Sequence, residues 1–304
     1  MTKAGGGAGE TTSRCRRIVW AGLVAPQLCH HTIRAGLPLL IAAIGKESGL
    51  SAAERVFLLG AFYPGYTLPQ VPCGAAVRAF GGKRMLLASL AVPLPLLAVM
   101  GAVSVPFAVA GSMQRRRTLR VLWLCMCGLG ACQSPLVPST SVLQREWMPK
   151  SLGVERVWAL KTPMLAMKMA RTLATVVVPA VAYRAGWRAV CWVLATGFAA
   201  GAGVWQLTAC DRVVDWGASM SNSERALLLP SQQESAATAA LDQRCESRKP
   251  WRVCTKPVAL ACILAHTTCS AVNITFAQWS PTIFIETLGE TSPPCVCVVP
   301  DRHG

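Results

Sequence analysis

The chain has 304 residues, of which 14% are Asp, Glu, Lys or Arg and 53% are hydrophobic. Average soluble domains are about a quarter charged, so this composition indicates a membrane protein. The formal net charge of +16 would suggest nucleic-acid binding if the basic residues lined one face of a soluble domain. They cluster instead between long apolar stretches, which argues against a nucleic-acid partner and is typical of residues that set membrane topology.

Seven apolar stretches are long enough to cross a bilayer core, which needs about 20 helical residues. Lipid offers backbone groups no hydrogen-bond partner, and the stretches do not alternate as barrel strands do, so we predict an all-α transmembrane bundle. A polar, basic tail at 1–17 precedes them and lacks the apolar core of a signal peptide. The predicted spans are residues 18–44, 56–77, 85–113, 121–143, 157–183, 190–210 and 257–288.

The first six spans form a predicted N-terminal bundle at 18–210. A stretch at 211–256, rich in Ser, Gln and charge, is predicted to be a flexible linker before the seventh span. Lys and Arg are more frequent in the loops on the side of the amino terminus, which predicts that this terminus and the linker are cytosolic. The cluster Gln114-Arg115-Arg116-Arg117 is against this trend. We therefore expect a multi-pass integral membrane protein, with the host membrane undetermined.

The chain has 14 cysteines, and most lie singly inside apolar stretches, where thiols behave as small hydrophobes. No CxxC pair exists, and the spacings do not fit a structural zinc site. His30 and His31 beside Cys29 could bind a metal, but a polar helix end or a pore-facing pair is the favoured interpretation. We expect no metal and no cofactor, and the absence of a nucleophile–base pair argues against an enzyme.

An arginine inside an apolar span is so costly that it normally faces a cavity and meets an anion or a carboxylate. Arg34 is therefore the first candidate for substrate binding, and the alternative is a structural ion pair within the bundle. Tyr66 and Gln70 are four residues apart and share a helix face, where they either line the same cavity or pack helices together. Lys168 and Arg171 would add positive potential in the fifth span, unless that span begins later than residue 157 or this copy has decayed.

The second span carries a motif that continues into Phe80-Gly81-Gly82-Lys83-Arg84. It resembles the second span and following loop of the major facilitator superfamily and, more narrowly, of its anion:cation symporter family. Shorter stretches at 46–51, 147–156, 186–188 and 265–284 agree with that family in order and spacing. The motif residues are Ala61, Phe62, Gly65, Tyr66, Gln70, Pro72 and Gly74.

The resemblance implies about twelve spans in two halves, of which about seven are present here. It also implies a secondary active transporter of small anions, such as inorganic phosphate or organic carboxylates, that works by alternating access. H⁺ and Na⁺ are the candidate coupling ions.

Two polar residues within spans, Gln133 in the fourth and Asn273 in the seventh, complete the predicted substrate-binding set. Gln133 stands where the family has a glutamate implicated in proton coupling. A glutamine cannot exchange a proton near neutral pH, so proton symport through this position is unsupported. His266 and Arg34 are the candidates for coupling by another route, and the alternative for His266 is a helix-bridging histidine.

The loop after the second span supplies candidate gating residues, because glycines there allow close helix approach and a tight turn. In the family this loop carries an Asp-Arg pair that holds a closed gate, but Arg78 and Ala79 stand at those positions here. The gate contact is therefore in doubt. The predicted gating and coupling residues are Gly74, Arg78, Gly81, Lys83, Arg84 and His266.

Residues 289–304 have no span character and do not resemble an eighth span of the family. We expect an aberrant or incomplete end to the chain. The alternative function is therefore a non-transporting truncated membrane protein or a decayed copy, which the departures at Arg78 and Gln133 favour.

Overall fold

The computed structural model describes residues 6–103, 113–147 and 154–209, together with the isolated helical residues 257, 261 and 268. These residues contain helices and no strand, which confirms the all-α prediction. The predicted linker at 211–256, the seventh span except for those three residues, and the tail at 289–304 lie outside the described residues, as do Asn273 and His266. The helices are α1 (Gly6–Ser48), α2 (Ala52–Phe80), α3 (Gly82–Ala91), α4 (Pro93–Ala102), α5 (Met113–Gln133), α6 (Leu136–Trp147) and α7 (Val154–Thr208).

These helices correspond to the first six predicted spans. Four helical stretches are long and apolar enough to cross a bilayer: Arg17–Ser48, Gly82–Ala102, Met113–Arg145 and Arg156–Thr208. α2 has 29 residues, contains Pro64, Pro69 and Pro72, and covers the second predicted span, but it is not among these four stretches. α3 and α4 together form the third span, and α5 and α6 together form the fourth.

The third predicted span differs from the structure at both ends. α3 begins at Gly82 rather than at 85, and α4 ends at Ala102, where Val103 turns to an extended conformation with φ −64° and ψ 101°. The next helix begins at Met113, the residue that was predicted to end the span. An uncharged stretch gives no signal of where its helix stops, which is why the prediction was too long.

α7 consists of two helices joined at Gly186, whose φ of +78° and ψ of 167° are non-helical. We name residues 154–185 the first arm of α7 and residues 187–208 the second arm. A continuous helix of that length would measure roughly 80 Å, against roughly 30 Å for a hydrocarbon core. The two arms therefore supply the fifth and sixth spans.

α1 packs against both arms of α7. Along the first arm, residue numbers rise in the same direction as in α1, whereas along the second arm they fall. The pairs in contact are Thr32 with Ala170 and Gly36 with Val178 for the first arm, and Gly22 with Thr208 and Cys29 with Gly201 for the second. The two arms therefore run antiparallel, as consecutive membrane spans must.

α2 and α5 approach each other closely at two glycines. A Cβ atom on Gly65 would collide with the Cys127 carbonyl group, and one on Gly130 would collide with the Phe62 carbonyl oxygen. Helices in lipid associate through such close packing of small residues, because lipid tails leave little hydrophobic driving force between helices. The hydroxyl of Ser134 also donates to the Tyr66 carbonyl oxygen at 2.7 Å. These contacts fix the position of Phe62 and Tyr66 along the bundle.

Candidate functional site

Arg34 lies near the middle of the apolar part of α1, Arg17–Ser48. Its guanidinium carbon is 5.1 Å from the ring centroid of Tyr66 and 6.0 Å from that of Phe62. The two rings belong to α2 and are stacked, with centroids 6.2 Å apart and planes at 10°. A guanidinium within about 6 Å of an aromatic face is attracted by the ring quadrupole, while its N–H groups can still bind another partner. α2 therefore orients Arg34 without neutralising its charge.

No carboxylate lies beside Arg34 among the described residues. Glu54 pairs with Arg115, and Glu47 pairs with Arg188, both away from the middle of the bundle. The other described acidic residues, Glu10, Glu146 and Glu155, are at or near helix ends. The structural ion pair that was the alternative for Arg34 is therefore not formed within the described part of the chain. Since an uncompensated charge at membrane depth is costly, Arg34 is a group that an anionic ligand would satisfy.

A second arginine, Arg171 in the first arm of α7, contributes to the same positive region. His31 is three residues from Arg34 on α1, so the two side chains share a face of that helix. α1 and the first arm meet at this level, where the Thr32 hydroxyl donates to the Ala170 carbonyl oxygen at 3.5 Å. His31 and Arg34 are partly exposed, and Arg171 is exposed. The surface therefore presents two guanidiniums and an imidazole on neighbouring helices.

His30 is buried and does not join this region. Its Nε2 is 3.0 Å from the Ser89 hydroxyl, which itself donates to the Leu86 carbonyl oxygen at 2.7 Å. The ring also makes an edge contact with Phe198, at 5.3 Å between centroids. His30 therefore bridges helices, and it does not form a pore-facing pair with His31. Within the described ranges, no group of three His, Cys, Asp or Glu side chains could hold a metal ion.

Gln133 is buried at the end of α5 and connects that helix to α1. Its amide nitrogen donates to the His30 carbonyl oxygen at 3.0 Å. A neighbouring bond joins α1 to α6, from the Gln27 amide to the Thr140 hydroxyl at 3.1 Å. The predicted contact of Gln133 with a substrate would have to use its remaining amide groups, and it stays a prediction.

The major facilitator superfamily model matches residues 27–296, which is most of the chain. The chain belongs to the major facilitator superfamily. Superfamily members are secondary transporters, not enzymes, that bind small-molecule substrates within the bilayer. The match and the apolar helices together confirm an integral, multi-pass membrane protein. No curated protein matches the chain.

The gating residues predicted for this superfamily member lie in the last turns of α2, at Gly81 between the helices, and in the first turn of α3. Gly81 has a φ of +86° and caps both helices, which confirms the expected tight turn. A Cβ atom on Gly82 would lie 2.9 Å from the Leu143 side chain, so the expected close approach also occurs. At Gly74 a Cβ atom would meet no described atom within 4 Å, so the close approach expected there stays a prediction.

The charged residues among them, which belong to α2 and α3, lie at the surface of the described bundle. Arg78 and Arg84 are exposed, and Lys83 is partly exposed, with its carbonyl oxygen accepting a 3.0 Å bond from the Trp205 indole. Gln70 is exposed one helical turn beyond Tyr66. The structure therefore brings Tyr66 to Arg34, while Gln70 does not contact them among the described residues. Their gating and binding roles stay predictions.

The sequence analysis missed an ion pair at the opposite end of the bundle. Arg115 donates from Nε to Glu54 Oε1 at 2.8 Å and from Nη2 to Oε2 at 2.6 Å, and Nη2 is also 3.0 Å from the Gly49 carbonyl oxygen. Ser51 caps α2 and forms a capping box with Glu54. The Ser-x-x-Glu pattern could have predicted the cap, but nothing local identifies Arg115 as the partner of Glu54.

A weaker pair lies at the joint between the two arms of α7. Arg188 is 3.3 Å from Glu47 and donates to the Val103 carbonyl oxygen at 3.4 Å, and it stacks on Trp187 at 4.7 Å. Arg115 connects the α1–α2 loop to α5, and Arg188 connects the end of α1 to α7. The basic cluster at 114–117 was against the predicted distribution of Lys and Arg between the loops, and one of its members, Arg115, has a structural role.

Proposed function

We propose that this protein is a secondary active transporter of small anions that binds its substrate at Arg34 and works by alternating access. The observation that carries the proposal is the environment of Arg34. The guanidinium is at mid-membrane depth, it is oriented by the Tyr66 and Phe62 rings, and no described carboxylate compensates it. A site with this charge favours an anion because Coulomb attraction is strong where water is partly excluded.

The substrate class we favour is inorganic phosphate or an organic carboxylate. Both are compact anions that a guanidinium can bind with two parallel hydrogen bonds. The resemblance of the second span to the anion:cation symporters supports the same class. Tyr66 would contribute its ring to orient Arg34 and its hydroxyl as a further hydrogen-bond group.

Coupling to an ion is the less constrained part of the proposal. Gln133 cannot carry a proton, and its amide already donates to the His30 carbonyl oxygen. A proton-coupled cycle would therefore need another group, such as the predicted His266. Coupling to Na⁺ is compatible with the same anion site.

Uptake of labelled phosphate and succinate into proteoliposomes containing the whole chain tests the proposal. We expect uptake to saturate with anion concentration and to be lost in Arg34→Gln, with partial recovery in Arg34→Lys because the charge is restored without the bidentate geometry. Arg145→Gln is the matched control, because Arg145 is exposed at the end of α6. This variant also removes one positive charge, but from a position outside the proposed site.

Two results would contradict the proposal. Uptake that is unchanged in Arg34→Gln would show that Arg34 does not bind the substrate. A correctly folded protein that neither binds nor transports any of the anions would favour the alternative of a non-transporting membrane protein.

A further inference from the structure

We propose that Arg171, together with His31, makes the anion site selective for doubly charged anions over singly charged ones. This inference rests on the anion-binding function proposed above and assigns a specificity role to a helix outside the Arg34–Tyr66 contact. The first arm of α7 would supply the second positive charge, and α1 supplies the first.

The depth of Arg171 in the membrane is the first step of the argument. From Arg171 to the turn at Gly186 the first arm offers only residues 171–185, and about 20 residues are needed to cross a hydrocarbon core. Arg171 therefore lies within the membrane and not before the start of the span. An arginine at that depth must face a water-accessible surface or a counter-ion, because exposure to lipid is too costly.

The position of Arg171 relative to Arg34 is the second step. Arg171 follows Ala170, whose carbonyl oxygen accepts the 3.5 Å bond from Thr32 on α1. His31 precedes Thr32 and Arg34 follows it by two residues, so His31, Arg34 and Arg171 all lie within two residues of this contact. The two arginines therefore come from two helices that meet at the level of this imidazole. A ligand near that imidazole would experience both positive charges.

The absence of compensating negative charge is the third step. Among the described residues, Glu47 pairs with Arg188, and Glu54 pairs with Arg115. Neither Arg34 nor Arg171 has a carboxylate partner in the described part of the chain. Two like charges converge without a counter-ion only at an energetic cost, and an anion with two charges removes more of that cost than one with a single charge.

The test compares two ligands of similar size that differ by one charge, succinate and its monoamide succinamate. Their affinities for the purified chain in detergent are measured by equilibrium dialysis near neutral pH. For the unmodified protein we expect succinate to bind about tenfold more tightly or better, as attraction between charges a few ångströms apart predicts. Inorganic phosphate at pH 8 serves as a second doubly charged probe.

Arg171→Gln should bring the affinity ratio of succinate to succinamate close to one, while Arg171→Lys should keep most of the preference. Arg184→Gln is the matched control, because Arg184 is an exposed arginine near the end of the same arm. It should leave the ratio unchanged. Arg34→Gln should lower the affinity for both ligands.

The ratio separates specificity from folding, since a loss of folded protein lowers both apparent affinities alike. If Arg171→Gln binds both ligands with the original ratio, the inference is overturned while the Arg34 site stands. If the unmodified protein binds neither ligand nor phosphate, the proposed function fails together with this inference.

Discussion

The guanidinium of Arg115 binds both carboxylate oxygens of Glu54, at 2.8 Å and 2.6 Å, across the ends of α5 and α2. The side chains are 9% and 23% exposed, so water screens the pair only in part. Because Arg115 also reaches the Gly49 carbonyl oxygen, one side chain joins the α1–α2 loop, the first turn of α2 and the start of α5.

Removing this pair should destabilise the bundle. Arg115→Ala leaves Glu54 without its main partner, and we expect a loss of about 1.5–3 kcal/mol, the range for hydrogen bonds to charged groups. Thermal unfolding in detergent, followed by circular dichroism, measures the change. Arg120→Ala on the same helix is the control, since Arg120 is exposed.

The double variant Glu54→Gln/Arg115→Ala should lose less stability than the sum of the two single-variant losses. The reason is that it removes both charges of the pair, whereas each single variant leaves one charge without its partner. Strict additivity of the two losses would show that the contact contributes no coupling energy.

The same pair predicts an acid-dependent loss of stability. The hydrogen bond from Arg115 holds the pKa of the Glu54 carboxyl at about 2, against its usual 4.5, and bonds from Ser51 act in the same direction. A lowered folded-state pKa gives stability that is complete above pH 4.5 and is lost as the pH falls towards 2. The difference in unfolding temperature between the unmodified protein and Glu54→Gln should therefore shrink over that interval. A difference that stays constant from pH 6 to pH 2 would contradict the assigned pairing.

Gly65 and Gly130, where α2 and α5 contact each other, should tolerate no side chain. Gly65→Ala and Gly130→Ala each place a methyl group against the backbone of the other helix, and we expect a loss of about 1–3 kcal/mol from overpacking. Gly60→Ala in the same α2 helix meets no described atom within 4 Å. That control should be neutral or stabilising by up to about 1 kcal/mol, because alanine favours a helix. Thermal unfolding separates the two classes of variant.

Gln133→Leu distinguishes a structural role from a substrate contact. Loss of the bond to the His30 carbonyl oxygen should cost about 0.5–1.5 kcal/mol, with anion affinity unchanged. Thermal unfolding and equilibrium dialysis measure the two quantities on the same sample. Lower anion affinity with unchanged stability would instead support the predicted contact of Gln133 with the substrate.

Parts of the site could be predicted from the sequence because they depend on local pattern. Arg34 is conspicuous as a charge within an apolar stretch, and Tyr66 belongs to the motif of the second span. Their contact could not be predicted, because it depends on how α1 and α2 are rotated about their axes. The same reason explains why His30 and His31, adjacent in sequence, have different environments, one buried against Ser89 and Phe198 and the other near two arginines.

That the chain crosses a membrane as helices follows from the sequence alone, because apolar length and backbone hydrogen bonding are local properties. The sequence also predicted the tight turn at Gly81, where only glycine readily adopts a positive φ. Which charges are compensated depends on the tertiary structure. Arg115 pairs with Glu54, 61 residues away in the sequence, whereas Arg34 lies against the rings of Phe62 and Tyr66. Such pairings arise when helices distant in sequence pack side by side, and no local pattern records them.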